Sequence, residues 1–549
     1  MHKLFCTPLG ETVRDKFAGQ LAEALQQGRG SEVALVLPSS YLLGTVRRGL
    51  KEAGMAGHEQ PNLLSFDDLV DDIVKRAGHQ RHFMSRMTQE LLVGRVLAEL
   101  AEANQLPYFG GIATFPGYIG TVTSLLAEIK RTGASPDEFA AVAEARDWPQ
   151  KDREIYIIYV TYQALLDELG LVDLEEKYML VIRELEAGLV LPYRQLYISE
   201  FYILTPLQLE VVRQLRRVMS IHIGIAFEKN RSEVFAAVEP TYTELVGMGF
   251  VPEFKAATGS APEDLLHLRR ALFATETGNC AADNILLVSC PSREAQMEVA
   301  AAKIKALLLK GQVRPEEVAV VVRDTGMYGN FREIGARFGI PISLPREEQL
   351  ADQPVVRVLL NAAMARLENG SRTSVVNLVK SPLIAEALEV DADYLEKLGL
   401  KKLITSWEDW LSLLGGELTE EVKQSCRNGL DKLREHIASL PLTGTCAQHT
   451  EAMKEALLRL EVANRLSEAH RQGELSLEAL KAGLLGYQKL GETLEAVEEG
   501  FNAVGQAERR LSLAEYVKFL RQALAGVTLK LDDYTAQGVR IVSPAGVRG

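Results

Sequence analysis

A turn that holds phosphate needs three things after a first strand. Glycine lets backbone N–H groups approach, lysine neutralises the β and γ phosphates, and Ser or Thr holds magnesium. The turn Cys6-Thr7-Pro8-Leu9-Gly10-Glu11-Thr12 has the glycine and the hydroxyl, but a carboxylate stands where the lysine belongs. Glu11 would repel a triphosphate, and no Gly-Lys-Ser or Gly-Lys-Thr occurs elsewhere. As local structure, Gly10-Glu11-Thr12 reads as an ordinary helix start with Thr12 as cap. The companion feature is an acidic residue ending a later strand. In Leu196-Tyr197-Ile198-Ser199-Glu200-Phe201 a serine takes that place. Glu200 reads either as a leftover metal ligand or as a strand-end surface residue.

Other patterns carry less. Asp173 with Glu175-Glu176-Lys177 matches the Glu-x-Lys half of a metal-dependent nuclease site, which needs acidic groups and a lysine on adjacent strands. Here the match follows one helical pattern and enters another, so it reads as a solvated helix start. His79 and His82 have no carboxylate or cysteine at ligand spacing, and none of the nine histidines forms a His-Glu-x-x-His pair. Tyr156, Tyr159 and Tyr162 form a stripe suited either to base stacking or to the buried face of a helix. The basic pairs Arg47-Arg48, Lys130-Arg131, Arg216-Arg217, Arg269-Arg270 and Lys401-Lys402 read singly as solvated faces.

These residues sit on two α/β halves. In the first, strands are expected at Lys3–Thr7, Val33–Pro38, Leu63–Ser65, Leu196–Ser199 and Ser220–Phe227. Residues 67 to 191 read almost entirely helical, broken by the Gly- and Pro-rich piece Pro107–Gly120, and Pro252–Pro262 reads as a linker. The second half repeats the plan. Asn284–Ser289 is an apolar run of strand length, Ser292-Arg293-Glu294 opens a helix, and Met297, Ala300, Ala301, Ile304 and Leu308 recur at helical spacing. Val318–Val322 lacks alternation, which predicts a strand covered on both faces. Phe338–Ile342 closes a β-α-β unit, a helical segment runs from about Val355 to Gly526, and strand character returns at Gly538–Val542.

Composition narrows the class. The 549 residues suffice for three or four domains with cores of their own. Hydrophobic content of 47% and charged content of 25% exclude wholesale disorder. Net charge of −13 excludes a basic coat but leaves room for a local basic channel. The five cysteines contain no Cys-x-x-Cys pair, so neither a disulfide framework nor a zinc site is expected. No apolar run is long enough to span a bilayer, and no secretory-type core follows Met1. A cytoplasmic protein with no membrane partner is expected.

The chain resembles the B subunit of the bacterial AddAB helicase–nuclease, a family related to UvrD-like superfamily-one helicases. Glu32–Leu50, with its Val-Ala-Leu-Val-Leu-Pro-Ser-Ser, is similar to the strand after the first helix that in the family runs into Val-Pro-Glu-Gln. Phe115-Pro116-Gly117-Tyr118, with Leu126–Pro136, resembles the helical insertion. Leu196–Pro206 resembles the family's Asp-Gly-Phe…Phe-Thr-Pro segment. Ser292–Arg323 with Gly339-Ile340-Pro341 resembles the second motor-like domain. Ile541-Val542-Ser543-Pro544-Ala545-Gly546-Val547-Arg548-Gly549 resembles the helicase motif Thr-x-His-x-x-Lys-Gly-Leu-Glu, with Ser543, Ala545 and Arg548 replacing Thr, His and Lys.

The resemblance implies a superfamily-one helicase-like α/β fold of two RecA-like parallel-sheet domains, each interrupted by a mainly helical insertion. The first would comprise residues 1–66 and 191–275 around an insertion at 67–190. The second would comprise 283–354 and 527–549 around an insertion at 355–526. It implies an inactivated helicase-like subunit in double-strand-break processing, binding single-stranded DNA beside an AddA-like partner that supplies ATP-driven translocation. Lys130, Arg131, Arg323 and Arg548 become DNA-binding candidates. Neither ATPase nor nuclease activity is expected of this chain, and no cofactor. The family's nuclease domain would carry a 4Fe-4S cluster and magnesium, and it is not in the sequence. The chain stops at Gly549 within a motif, so a shortened form of a longer protein is expected. The competing reading is a protein-interaction scaffold with a helicase-like core that binds neither DNA nor ATP.

Overall fold

The computed structural model describes residues 2–55, 61–79, 82–145, 148–256, 261–274, 278–344, 346–384, 392–401, 403–413, 420–531 and 538–544. Its first half is built on six strands: β1 (Lys3–Thr7), β2 (Val33–Val36), β3 (Asn62–Leu64), β4 (Gln195–Ser199), β5 (Ser220–Ala226) and β6 (Val251–Phe254). They pair in the order β3-β2-β4-β5-β1-β6, every pair parallel. Parallel pairing requires crossovers, and helices supply them on both faces.

The alternation of side chains divides each strand between two cores. Leu4, Cys6, Ala34 and Val36 pack with Val70, Val181 and Val211 on one face. Phe5, Val33 and Leu35 pack with Phe17, Leu21 and Val46 on the other. Both sides are buried, which is why these strands read as unbroken apolar runs. Five of the six were legible from their apolar residues, although β3 is an edge strand and β5 alternates Ile221, Ile223 and Ile225 with Ser220, His222 and Gly224. β6 was not: its Pro252 and its exposed Val251 and Phe254 suit an edge strand, and the linker reading covered it.

Helices fill the segment between β3 and β4. Leu92, Val93 and Val96 from the helix Arg86–Glu102 pack with Ile158, Tyr162 and Leu166 from the helix Gln150–Leu169. Buried Glu154 accepts from the backbone N–H groups of Tyr108 (2.7 Å) and Phe109 (2.9 Å), fixing the Gly- and Pro-rich break to this bundle.

The second half departs from its expected form in two ways. The run Asn284–Ser289 joins no strand ladder, and Leu286, Leu287 and Val288 are 66%, 92% and 51% exposed. Its apolar composition marks strand propensity, but no partner strand among the described residues lies alongside it. The sheet here has three parallel strands: β7 (Ala319–Val321), β8 (Ile342–Ser343) and β11 (Val539–Val542), with β11 in the centre. β7 is therefore an edge strand. It is not covered on both faces, and Val321 is 52% exposed.

The helix Arg293–Leu309 forms as the pattern predicts. Ser292 accepts from Ala295 N–H at 3.1 Å, and Met297, Ala301 and Ile304 face the core shared with Ile342, Val539 and Ile541. An antiparallel pair, β9 (Arg346–Gln349) with β10 (Thr528–Leu531), brackets the helical segment between them. That segment packs against the first helical bundle. Arg95 donates to Val504 O at 2.7 Å and Gln522 to Glu90 at 2.8 Å. A Cβ on Gly500 would come within 2.9 Å of Leu91.

Candidate nucleotide-like site

The C-terminal ends of β1, β4 and β5 enclose a cavity of about 430 Å³, at the sheet edge where α/β proteins bind ligands. Gly10, Glu11, Thr12, Ser199 and Glu200 all line it. Residues nearly two hundred positions apart are thereby brought into one site.

The turn after β1 is closed on itself. Glu11 N–H donates to Pro8 O at 3.1 Å, and Thr7 Oγ1 donates to Glu11 O at 2.9 Å. Gly10 takes φ +81°, a left-handed conformation open to glycine without penalty. The helix Arg14–Gln26 follows from a Val13 N-cap that makes no side-chain cap bond. Thr12 Oγ1 instead accepts from Arg14 N–H at 3.0 Å and donates to the Glu200 carboxylate. Thr12 thus tends the helix start from one residue upstream of the cap and ties it to β4.

Glu200 occupies φ +69°, an unfavourable conformation for a side chain that is not glycine, at about 1–2 kcal/mol. Ser199 is buried at the cavity floor. A methyl on Gly224, across the floor, would sit 2.2 Å from Val13 Cγ2 and 3.2 Å from Ser199 Oγ. The close approach of β5 to the turn therefore depends on glycine.

Charge in this cavity runs opposite to what a triphosphate needs. Its lining among the described residues has two carboxylates, Glu11 and Glu200, and no lysine or arginine. Glu11 Oε1 accepts from Arg269 Nη1 at 3.3 Å, so a helix beyond β6, Glu263–Ala271, neutralises the acid from outside the cavity. The pair Arg269-Arg270 read singly as a solvated face; Arg269 is instead mostly buried against this turn.

The DNA-binding candidates divide. Lys130 is buried and donates to Asp173 Oδ2 at 2.6 Å and to Gln163 at 3.2 Å, so its charge is matched inside the helical bundle. Arg131 is over half exposed while its Nε donates to buried Glu175 at 3.0 Å. Arg323 is exposed in a groove with Arg293, Tyr328 and Ser543, and the Arg293 guanidinium lies 5.7 Å from the Tyr328 ring centre. Arg548 lies outside the described residues, as does Ala545.

Glu175-Glu176-Lys177 forms the first turn of the helix Leu174–Glu186, where Asp173 Oδ1 accepts from Glu176 N–H at 2.7 Å. The three side chains pair with Arg131, Arg183 and Asp71 respectively. The helix start holds, but Glu175 is not solvated: it is buried, and burial pushes its carboxyl above the usual range. In the tyrosine stripe, Tyr159 and Tyr162 are core residues, and Tyr162 donates to Asp173 at 3.0 Å. His79 meets Glu184 at 3.0 Å, a carboxylate too distant in sequence for local spacing to reveal.

Residues 15–251 match the family described as the N-terminal part of AddB. Three relatives, each named as the B subunit of an ATP-dependent helicase/deoxyribonuclease, align with most of the chain. The one from Desulforudis audaxviator is 22% identical over 563 positions, covering 93% of this chain and 48% of its own length. The one from Carboxydothermus hydrogenoformans is 23% identical, covering 91% and 44%. The one from Clostridium perfringens is 22% identical, covering 76% and 39%. The chain spans less than half the length of these relatives.

Proposed function

From the match of residues 15–251 and from these relatives, we propose that the chain is an AddB-type, helicase-like part of a DNA-processing helicase–nuclease which binds single-stranded DNA without hydrolysing ATP. The observation that carries this reading is Glu11. The turn, the glycine, the hydroxyl and the strand-end positions of a nucleotide site surround one cavity, yet the cation is a carboxylate and Ser199 replaces the strand-end acid. A scaffold of this kind keeps the geometry of a motor and gives up its fuel. Translocation would then come from a second subunit of AddA type, and strand processing in the cytoplasm would serve recombinational repair. Residues 1–66 with 191–275, and 283–354 with 527–549, would act as the two sheet domains, each carrying its helical insertion.

Single-stranded DNA would be held through phosphate contacts and stacking, with Arg131 and Arg323 as the exposed cations among the candidates. With net charge of −13, few phosphates are neutralised, so affinity belongs in the range of non-specific binding, about 10⁻⁴–10⁻⁶ M. Fluorescence anisotropy with a labelled oligonucleotide across a salt series tests this. Binding that weakens steeply with salt is expected. Absence of binding at low ionic strength favours the second reading, an interaction scaffold, which the burial of Lys130 against Asp173 supports by removing one basic candidate.

A further inference from the structure

A second cavity, of about 450 Å³, lies at the C-terminal ends of β1, β5 and β6, beyond the wall formed by Glu11 and Arg269. Five cationic side chains line it: Lys229, Arg231, Lys255, Arg269 and Arg270. They come from the loop after β5, the residue after β6, and the last turn of the helix Glu263–Ala271. We propose that this cavity binds phosphate groups, either those of a nucleic-acid strand or those of a free polyphosphate.

Three of the cations have carboxylate partners. Arg231 meets Glu228 at 3.3 Å, Lys255 meets Glu253 at 2.6 Å, and Arg269 meets Glu11 at 3.3 Å. Lys229 and Arg270 are exposed and have no carboxylate partner among the described residues. In a chain of net charge −13, a concavity lined by five cations and one acid, Glu228, with Glu11 and Glu253 pairing from outside the lining, is a local inversion of sign. Crowding like charges is unfavourable, and a bound anion relieves it. A basic stripe on a solvated helix would spread its charges apart; here three separate elements aim them into one hollow.

The cavity also has an aromatic rim. Phe254 is 43% exposed, and Lys229 Nζ stands 4.9 Å from its ring centre. Cations beside an exposed ring are the combination that single-stranded nucleic acid uses, phosphate on one and base on the other. The helix carrying Arg269 and Arg270 is anchored at its start. Buried Asp264 accepts from Asn284 N–H at 2.6 Å and from its side-chain amide at 3.1 Å, and at the cationic end Arg269 donates to Glu11 in the turn after β1.

As a nucleic-acid site this rests on the DNA-binding reading above, and the test separates the two. The variant Lys229→Ala/Arg270→Ala removes two exposed side chains and leaves the described ion pairs intact. Arg471→Ala/Lys481→Ala, on exposed residues of the second helical segment, controls for net charge. Anisotropy with a labelled oligonucleotide should show the first variant weaker by several-fold or more. Its log–log salt slope should be shallower by about 1.4, from two phosphate contacts on a single strand. The control should match wild type.

Inorganic tripolyphosphate supplies the second arm, read as a saturable rise in melting temperature in wild type that the first variant loses. A tripolyphosphate response with unchanged DNA affinity assigns the pocket to free polyphosphate. The same response in a protein that binds no DNA overturns the DNA-binding reading and leaves the pocket standing. Wild-type affinity and slope in the first variant, with no tripolyphosphate response, overturn the pocket and leave DNA binding untouched. Loss of both ligands' binding in wild type overturns both.

Discussion

Arg269 donates to Glu11 across the wall between two cavities of opposite charge, at 3.3 Å and with about four-fifths of each side chain buried. The carboxylate of the turn after β1 is thus matched by a cation 258 positions away. The acid is built into its surroundings.

Millimolar ATP with magnesium should therefore leave the melting temperature unchanged, since a ligand stabilises only by binding the native state. Restoring the lysine with Glu11→Lys should not create binding. It sets a second cation against Arg269, leaves Ser199 in place, and should lower stability by about 1 kcal/mol. A saturable ATP-dependent rise in either protein would overturn the reading of this cavity.

Lys130→Ala leaves Asp173 enclosed without its cation, with Tyr162 OH and Glu176 N–H as its remaining donors. Breaking such a buried pair from one side costs about 3–5 kcal/mol. Urea denaturation should show the loss, while the folded fraction keeps wild-type affinity for single-stranded DNA. A variant of unchanged stability but weakened DNA binding would return Lys130 to the DNA-binding surface.

Gly224→Ala should be destabilising by about 1–3 kcal/mol, because the added methyl meets Val13 Cγ2 at 2.2 Å and a β-branched side chain has little freedom to turn away. Differential scanning fluorimetry reads the shift directly. An unchanged melting temperature would mean that β5 and the turn at Val13 are not in close contact.

His449 is buried, meets Leu511 O at 3.0 Å and stacks on Tyr516, and burial lowers its pKa below the ordinary value. The folded state therefore binds its proton less readily than the unfolded chain. This contribution to stability is complete above the unfolded pKa of about 6.5 and is lost as pH falls below it, at no more than about 1.4 kcal/mol per pH unit. Stability measured between pH 7.5 and 5 should fall less steeply in His449→Gln than in wild type. Equal slopes would exclude His449 as a contributor.

Burial pushes the Cys6 and Cys446 thiols up to about 12, and Cys426 is also buried. Cys280 is exposed and Cys290 partly so. A thiol reagent at pH 8 should titrate two groups quickly in the native protein and all five after denaturation. Rapid reaction of Cys6 would show the end of β1 opening to solvent.

Much of the architecture was legible from local pattern alone. Strands such as Val33–Val36 and Leu196–Ser199 are apolar at nearly every position because both faces are covered. The helix after Ser292 was legible from its cap and its spacing. The residues that line the cavity at the ends of β1 and β4 were legible too, since Gly10 and Thr12 keep a phosphate-turn pattern from which Glu11 and Ser199 depart. Asn284–Ser289 failed for a physical reason. Strand propensity describes what a segment suits, while a strand exists only where a neighbour supplies the other half of its hydrogen bonds.

Most element types, the carboxylate at Glu11 and the overall acidity follow from residue order and composition. Which charges remain available follows from the packed fold. Lys130-Arg131 and Arg269-Arg270 are both basic pairs in the sequence, yet Lys130 is enclosed by Asp173 and Arg270 is exposed in the hollow that Lys229 also lines. A cation's availability depends on the acid that reaches it through space. Here that acid lies 43 residues away for Lys130 and 258 for Arg269, and no local spacing encodes either distance.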